Sequence, residues 1–305
     1  MRCGFIGLGH IGKYLAGSLV RNGFEVTVYD LNRDAADPLI ASGAKWANTV
    51  KDLAANSDTV FTCLPSPSAI DAVVNGSDGV ISSLSGRATP GTWVDMSTND
   101  QSETLRLGAI AKNNGVNMLE APVTGGVHKA AHGDITILVG GDEAVYKSHA
   151  DVLAAMGSPV LYIGPLGSAA LIKVITNMLA FVNLVALGEA LMLAKRGGLD
   201  LATTFEAIKH SSGNSFVHET ESQVILNGSY NINFTMDLAL KDLGFAMEYG
   251  RALGVPLDLA TLTYRTFLRA HAQYGGQAWS SQVVKLLEDA LGVDLRAAGF
   301  PAELQ

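Results

Sequence analysis

Short apolar, β-branched runs alternate with longer segments of helical spacing through the first half of the chain. The runs predict strands at residues 3–6, 25–29, 59–64, 92–95, 117–120, 135–139 and 160–163. Apolar residues recur every three or four positions over residues 11–22, 101–114 and 142–156, which predicts helices there. Because strands that alternate with helices form βαβ units, the pattern indicates an α/β fold with a mostly parallel sheet.

The pattern changes after residue 163, where the strand-like runs stop. Helical spacing continues over residues 168–196, 201–210, 237–253, 257–274 and 279–291. The turn cluster Gly164-Pro165-Leu166-Gly167 marks the change. We therefore predict an α/β domain at residues 1–163, joined by a long helix to an all-helical domain at residues 164–292, and a loose C-terminal tail at residues 293–305.

The composition narrows the classes of function. Of the 305 residues, 48% are hydrophobic and 16% are charged, which excludes a disordered or fibrous chain. A net charge of −8 argues against a nucleic-acid partner and against a polybasic membrane anchor. Both cysteines, Cys3 and Cys63, lie in apolar runs, so we expect reduced, buried thiols and a reducing compartment.

The N-terminus begins directly with a strand pattern rather than with a charged region followed by an apolar one, so no targeting segment is expected. The most apolar stretch, residues 174–187, is shorter than the ~20 residues of a membrane span, and Thr176, Asn177 and Asn183 interrupt it. We therefore expect a water-soluble, cytoplasmic protein with no membrane partner.

A glycine-rich motif lies between the first predicted strand and the first predicted helix: Gly7-Leu8-Gly9-His10-Ile11-Gly12. Three spaced glycines alone are weak evidence in a chain with 33 glycines, but the flanking strand and helix are typical of dinucleotide binding. In this motif Gly7 permits a tight turn, Gly9 lets a pyrophosphate approach the backbone, and Gly12 allows helix and strand to pack closely. The helix N-terminus then presents N–H groups to the phosphates. We predict a Rossmann-type domain; the alternative is a glycine turn without a ligand, and His10 is expected to face solvent.

An acidic residue, Asp30, follows the second predicted strand, 18 residues after Gly12. A carboxylate at about this spacing binds the ribose hydroxyls of the adenosine half of NAD. It also repels the additional phosphate of NADP, so NAD is the predicted cofactor. Arg33 lies three residues later and could pair with that phosphate, so NADP stays open.

One lysine stands alone in the apolar first helix of the second half. Between Pro159 and Gly188, Lys173 is the only charged side chain. Its amine either extends along its stem to solvent or is desolvated, with a pKa lowered toward neutrality and suited to proton transfer. Asn177 lies four residues later on the same helix face, where an ammonium and an amide together could orient a hydroxyl or carbonyl. A hydrogen bond between helices is the alternative for Asn177.

Two further patterns concern small ligands. In the turn Thr124-Gly125-Gly126, successive N–H groups could form an anion nest for a carboxylate, or the turn could simply join a strand to a helix. His128 and His132 have a spacing that could bind a metal, but no cysteine or third histidine is near in sequence, so no metal is expected.

Taken together, these motifs resemble the β-hydroxyacid dehydrogenase family, specifically its 3-hydroxyisobutyrate dehydrogenase branch. The glycine motif is similar to the family's cofactor motif, with Ile11 where methionine is usual. The segment Glu120-Ala121-Pro122-Val123-Thr124-Gly125-Gly126 is similar to the substrate motif, with Glu120 in place of Asp and Thr124 in place of Ser. Gly167, Lys173 and Asn177 match the catalytic motif, and Lys241-Asp242-Leu243 the family's Lys-Asp pair. The related 6-phosphogluconate dehydrogenases are considerably longer, which disfavours that branch.

The resemblance implies a hydride transfer between a nicotinamide and the hydroxyl carbon of a small 3-hydroxy acid, reversible with the semialdehyde. Lys173 would be the general acid and base. The other roles would be substrate binding by Thr124, Gly125, Gly126 and Asn177, and cofactor binding by Gly7, Leu8, Gly9, His10, Ile11, Gly12, Asp30, Leu64, Pro65, Thr98 and Lys241. Adjacent residues point about 100° apart on a helix, so Lys241 and Asp242 are expected not to share a face.

The site is expected in the cleft between the two domains, and the apolar helical half suggests a homodimer or homotetramer. The alternatives are a nicotinamide-binding module that catalyses nothing, and a reductase of imines on the same fold. The retained lysine, asparagine and glycine pair argue against both.

Overall fold

The computed structural model describes residues 1–304. The chain divides into two compact units, Met1–Lys173 and Val174–Gln305. This division falls inside a helix, beyond the turn cluster at residues 164–167 where the sequence pattern predicts the boundary.

Strands and helices alternate through the first unit. Its strands are β1 (Arg2–Ile6), β2 (Glu25–Tyr29), β3 (Lys45–Trp46), β4 (Thr59–Thr62), β5 (Thr92–Asp95), β6 (Asn117–Glu120), β7 (Val123–Thr124), β8 (Thr136–Gly141) and β9 (Val160–Gly164). Its helices are α1 (Gly12–Arg21), α2 (Asp37–Ala41), α3 (Val50–Ala55), α4 (Pro67–Val74), α5 (Val80–Leu84), α6 (Gln101–Asn113), α7 (Val127–His132) and α8 (Glu143–Ala154), with a 3₁₀ turn at Arg33–Ala36.

All nine strands form one sheet. Strands β3, β2, β1, β4, β5 and β6 are parallel neighbours in that order, β8 runs antiparallel to β6 and β7, and β9 runs parallel to β8. The predicted α/β fold with a mostly parallel sheet is confirmed. The chain moves outward in one direction from β1 to β3 and in the other from β4 to β6, so the order reverses between β1 and β4. In such sheets ligands bind at the carboxyl ends of the strands where the order reverses.

Alternating side chains of the central strands build a core on each face of the sheet. Phe5 and Phe61 lie in one buried cluster with Leu15 of α1. Their chain neighbours Ile6 and Val60 lie in the other. This period of two follows from the pleat of a strand and fixes the register of β1 against β4, with Phe5 opposite Phe61.

The second unit is helical. Helix α9 (Ser168–Arg196) begins in the first unit, and it is followed by α10 (Leu201–Lys209), α11 (Phe216–Asn227), α12 (Met236–Leu253), α13 (Asp258–Tyr274), a 3₁₀ segment at Ser280–Val284, and α14 (Lys285–Leu291). Buried apolar residues from these helices form a single cluster that includes Phe181, Leu243 and Phe267. Packing of these apolar helix faces holds the unit together.

Helix α9 is long and apolar enough to cross a membrane by length and composition, with a mean hydropathy of 2.0 in its most apolar 18 residues. The apolar stretch at residues 174–187 is part of this longer helix. A core helix of a water-soluble protein satisfies the same criteria, and Leu184, Leu187 and Leu191 of α9 pack in the core of the second unit.

The C-terminal segment after Gly292 is docked against the second unit, so the expectation of a loose tail is wrong. Leu295 is completely buried, and Phe300 packs edge-on against Phe205 with 5.1 Å between ring centroids. The Arg296 guanidinium lies 2.9 Å from the buried carboxylate of Glu288. The sequence did not predict this docking, because single contacts made by separate residues produce no hydrophobic periodicity.

Candidate active site

In the glycine turn after β1, a side chain would not fit at Gly7 or at Gly12. Gly7 has φ +96° and donates its N–H to the Tyr29 carbonyl at 3.0 Å. A Cβ on Gly12 would lie 1.9 Å from the Gly7 oxygen, so the helix could not approach the strand. A Cβ on Gly9, in contrast, would meet no atom of residues 1–304 within 4 Å. The backbone at Gly9 is therefore open to a ligand, and the turn fits a dinucleotide pyrophosphate.

The turn leads into the N-terminus of α1. Within the described chain no side chain caps this N-terminus, and its first turn contains no acidic residue. The helix dipole favours negative charge at this end, although the Lys13 and Tyr14 N–H groups already donate to the Gly9 and Ile11 carbonyls at 3.4 Å and 3.0 Å. Leu8 is buried, Ile11 is half-buried and His10 is exposed.

Asp30 directly follows β2, and its carboxylate lies beside the glycine turn. One oxygen accepts the Leu8 N–H at 2.6 Å, and the other accepts the Asn32 N–H at 2.8 Å. Each carboxylate oxygen has a second lone pair, so Asp30 can still accept ribose hydroxyls. Arg33 is engaged elsewhere, because its guanidinium lies 2.6 Å from Asp37 and 4.8 Å from the centre of the Trp46 ring.

The carboxyl ends of β4 and β5 lie at the same sheet edge as this turn. Leu64 donates its N–H to the Ser97 hydroxyl at 2.9 Å, which joins the loops that follow the two strands. Leu64 and Thr98 are half-buried and Pro65 is exposed, so all three retain accessible surface at this edge. Parallel strands bring their carboxyl ends together at one edge of the sheet. Four segments predicted to bind the cofactor therefore lie at this edge: the glycine turn, Asp30, Leu64-Pro65 and Thr98.

Sequence reasoning missed the role of Asp95, which lies at the end of β5. Its buried carboxylate accepts hydrogen bonds from the Thr62 hydroxyl at 3.0 Å and the Ser97 N–H at 3.1 Å. Burial raises the pKa of Asp95 to about 6, against the opposing effect of these hydrogen bonds. Asp95 fixes the loop that presents Thr98. An acidic residue that ends a fully buried strand is the signal that could have revealed it.

Glu120 ends β6 and is likewise buried. Its two carboxylate oxygens accept the N–H groups of Ala169 and Ala170, each at 2.9 Å. These N–H groups belong to the first turn of α9, so Glu120 caps the helix that carries Lys173. Burial raises the pKa of Glu120 to about 7, although its hydrogen bonds oppose the shift.

The predicted substrate turn follows β7. Gly125 and Gly126 have φ values of +129° and +91°, which favour glycine. Thr124 and Gly125 are half-buried and Gly126 is exposed. In the short helix that follows, the Nδ1 atom of His132 lies 2.8 Å from the His128 carbonyl oxygen. No group of three or more His, Cys, Asp or Glu residues able to hold a metal occurs among the described residues.

Lys173 is the last residue of the first unit and is only 7% exposed. Helix α9 continues without interruption to Arg196, so Asn177 lies one turn further along it. In the second unit, the Asn177 side-chain amide donates to Asp242 at 2.6 Å. The Lys241 ammonium lies 3.2 Å from the other Asp242 oxygen. Although adjacent residues point about 100° apart on a helix, the long lysine side chain reaches back to its neighbour.

The fold and the glycine turn define a dinucleotide-binding dehydrogenase class with a helical second domain. Family models match both parts of the chain. The NAD binding domain of 6-phosphogluconate dehydrogenase matches residues 2–164. The model described as NAD-binding of NADP-dependent 3-hydroxyisobutyrate dehydrogenase matches residues 167–287.

Several named dehydrogenases are similar to this protein over nearly the whole chain. The 2-(hydroxymethyl)glutarate dehydrogenase of Eubacterium barkeri is 35% identical over 97% of both chains. The NAD-dependent L-serine dehydrogenase of Pseudomonas aeruginosa is 32% identical over 87% of this chain and 91% of its own. A crystal structure of 3-hydroxyisobutyrate dehydrogenase from Salmonella typhimurium superposes with a TM-score of 0.85 at 31% identity, covering 94% of this chain and 99% of the other.

The chain therefore belongs to the β-hydroxyacid dehydrogenase family, in its 3-hydroxyisobutyrate dehydrogenase branch. It is an oxidoreductase that acts on CH–OH groups with NAD or NADP as the cofactor. The predictions of family, enzyme class and nicotinamide cofactor are confirmed.

Proposed function

We propose that this protein oxidises the hydroxyl carbon of a small 3-hydroxy acid, reversibly with the semialdehyde, and that Lys173 is the general acid and base. The observation that carries the proposal is the burial of Lys173, the only charged side chain between Pro159 and Gly188, in the unit that holds the dinucleotide turn. Burying an ammonium is unfavourable unless hydrogen bonds or an opposite charge compensate it, so a buried lysine marks a candidate functional site. Helix α9 fixes it one turn before Asn177.

A nicotinamide, when bound, supplies the acceptor for the hydride. As the hydride leaves the substrate carbon, Lys173 takes the hydroxyl proton through its Nζ, and a carbonyl group results. In the reverse direction Lys173 returns the proton to the oxygen.

Asn177 orients the substrate hydroxyl in this proposal. Because Asp242 accepts a hydrogen bond from the Asn177 amide nitrogen, the amide cannot flip without losing that bond. The Asn177 amide therefore has a fixed orientation, and in this proposal it holds the substrate oxygen in place while Lys173 exchanges the hydroxyl proton. Lys241, placed beside Asp242, adds positive charge next to this pair.

The substrate carboxylate is assigned to the turn Thr124-Gly125-Gly126. Both glycines have positive φ values and no side chain, so a carboxylate can approach the backbone N–H groups of this turn. Recognition by backbone groups does not select one acid among several. Hydroxyisobutyrate-like, serine-like, hydroxypropionate-like and glycerate-like acids all fit the proposal.

NAD is the proposed cofactor in preference to NADP. Asp30 offers a carboxylate where the adenosine ribose would lie, and Arg33, the cation nearest in sequence, pairs with Asp37. An additional ribose phosphate would therefore meet negative charge without a matching cation. We further propose that the enzyme is cytoplasmic and forms a homodimer or homotetramer, supported by exposed leucines on α13 such as Leu259 and Leu262.

The test replaces Lys173 with Ala and measures turnover of a panel of 3-hydroxy acids with NAD and with NADP. We expect turnover to fall by at least about 100-fold, since general acid–base catalysis contributes roughly 10²–10⁴. NADH binding, followed by fluorescence titration, should stay within about twofold of wild type.

Lys195→Ala is the matched control, because Lys195 lies on the same helix, 22 residues further along. It should retain wild-type turnover. Undiminished turnover in Lys173→Ala would reject the proposal. Tight NADH binding by the wild type without oxidation of any acid in the panel would instead favour a non-catalytic binding module. Rates with NADP equal to those with NAD would contradict the role given to Asp30.

A further inference from the structure

The first turn of α9 obtains its hydrogen-bond acceptor from a distant part of the chain. The first N–H groups of a helix lack partners within the helix. In α9 two of them, at Ala169 and Ala170, donate to Glu120, which lies 49 and 50 residues earlier. The carboxylate also places negative charge at the positive end of the helix dipole. Glu120 thus ties the end of β6 to the start of the helix that carries Lys173.

Space for this side chain is provided by a glycine on the neighbouring strand. Gly140 of β8 is the register partner of Glu120. A Cβ on Gly140 would lie 2.2 Å from the Glu120 Oε1 atom, which is the oxygen that accepts the Ala169 N–H. Any side chain at position 140 would therefore push the carboxylate away from α9.

We propose that Glu120 is a positioning residue for catalysis: it holds the first turn of α9 and thereby sets the location of Lys173. This inference rests on the proposed role of Lys173 as acid and base. Lys173 lies three to four residues beyond the capped N–H groups, about 5 Å along the helix axis at 1.5 Å per residue. A displacement of the helix start is therefore transmitted directly to the lysine.

The length of the Glu120 side chain matters to this role. Aspartate, the residue that the family motif has at this position, would withdraw the carboxylate by about 1.5 Å, the length of one carbon–carbon bond. Hydrogen bonds of 2.9 Å would not survive that withdrawal without a shift of α9. The long side chain of Glu120 therefore requires glycine at position 140 to reach the start of α9.

The experiment compares Glu120→Gln, Glu120→Asp and Gly140→Ala for kcat, KM and NADH affinity. We expect kcat to fall about 10-fold or more in each, since misplacement of a reacting group by about 1 Å costs up to roughly 100-fold. NADH affinity should stay within about twofold of wild type. The solvent deuterium isotope effect on kcat should rise, because proton transfer by a misplaced lysine becomes rate-limiting.

A double variant separates positioning from a general loss of stability. Gly140→Ala leaves the Glu120 carboxylate chemically intact and acts by displacing it. In a Glu120→Asp background the carboxylate has already left its position at the start of α9, so adding Gly140→Ala should lower kcat by less than twofold further. Asp142→Asn is the control, because Asp142 caps α8 in the same unit through Ala144 and Val145. It should lower the melting temperature and leave kcat and the isotope effect unchanged.

Two outcomes overturn the inference. In the first, folded Glu120→Gln and Gly140→Ala proteins retain wild-type kcat and isotope effect. In the second, Glu120→Gln lowers the residual rate of Lys173→Ala by the same factor as it lowers the wild-type rate, so it does not act through the lysine. Failure of the proposed function is recognised separately, because Lys173→Ala alone would then turn over normally.

Discussion

Two glycines of the same motif are required for different physical reasons. A Cβ on Gly12 would lie 1.9 Å from the Gly7 oxygen, an overlap with backbone that cannot be relieved by a rotamer change. A Cβ on Gly9 would enter open space. Gly12 is therefore needed by the fold itself, whereas Gly9 is needed only when a ligand approaches the backbone.

Alanine substitutions should separate these two requirements. We expect Gly12→Ala to destabilise the first unit by about 2–4 kcal/mol, in the range of severe overpacking. Gly9→Ala should unfold at the wild-type temperature yet bind NADH at least about 10-fold more weakly, because its methyl group would occupy the path of the pyrophosphate. Thermal unfolding followed by circular dichroism and fluorescence titration with NADH measure the two effects. Normal NADH affinity in Gly9→Ala would contradict this account of the turn.

The sequence predicted residues whose chemistry lies in local spacing, and missed those whose partners are distant. The glycine motif and Asp30 could be identified because a strand, a turn and a helix follow each other directly. Glu120 could not be assigned its role, since a single sequence does not show that Glu120 meets the N–H groups of Ala169 and Ala170. The contact of Lys241 with Asp242 was not predicted either, because helix geometry alone does not include the reach of a flexible side chain.

At the level of elements, the longer apolar patterns of the sequence were sufficient to predict where several strands and helices lie. Helix α9 has the predicted bounds, and β2, β5 and β6 agree with the predicted strands residue for residue. Strands β3 and β7 were not predicted. They have two residues each, which is too few for an alternation of apolar and polar residues to be recognised. Helix α11 was missed because its apolar residues lie at its two ends, with polar residues at 218–223 between them, although Ser215 caps it through the His218 N–H at 3.0 Å.

The docked C-terminal segment makes a prediction at this scale. Glu288 is buried, and Arg296 supplies both a charge and a hydrogen bond to it. We expect Arg296→Met to destabilise the protein by roughly 2–4 kcal/mol, since removing one partner leaves an uncompensated buried carboxylate. Urea unfolding monitored by circular dichroism measures the change.

Glu303→Ala is the control for this prediction, because Glu303 belongs to the same segment but is exposed and makes one hydrogen bond, to Asn231. It should change the free energy of unfolding by less than about 0.5 kcal/mol. A segment that is loose in solution would show equally small effects for both variants, and the docked arrangement would then be refuted.

At the scale of the whole molecule, each unit has its own buried core and its own share of the residues proposed for catalysis. The first contains the dinucleotide turn, the turn proposed to bind the substrate carboxylate, and Lys173. The second contains the pair of Asn177 and Asp242. Helix α9 runs through both, so a single element carries the proposed general base and the residue proposed to hold the substrate hydroxyl. The positioning role proposed for Glu120 follows from its contact with the start of this helix.

The surface of the second unit bears on the oligomeric state. Leu259 and Leu262 lie one turn apart on α13 and are 69% and 60% exposed. Large exposed apolar side chains that adjoin each other mark association sites, because their transfer out of water favours contact. We expect the wild type to sediment as a dimer or tetramer at micromolar concentration. In the double variant Leu259→Glu with Leu262→Glu, the dissociation constant of the oligomer should rise by at least about 10-fold.

Lys112→Glu is the control, because it changes an exposed residue on α6 in the first unit and alters the net charge by the same amount. It should leave the sedimentation coefficient unchanged. A wild-type protein that sediments only as a monomer would remove the claim, because the exposed leucines would then have no partner to cover them.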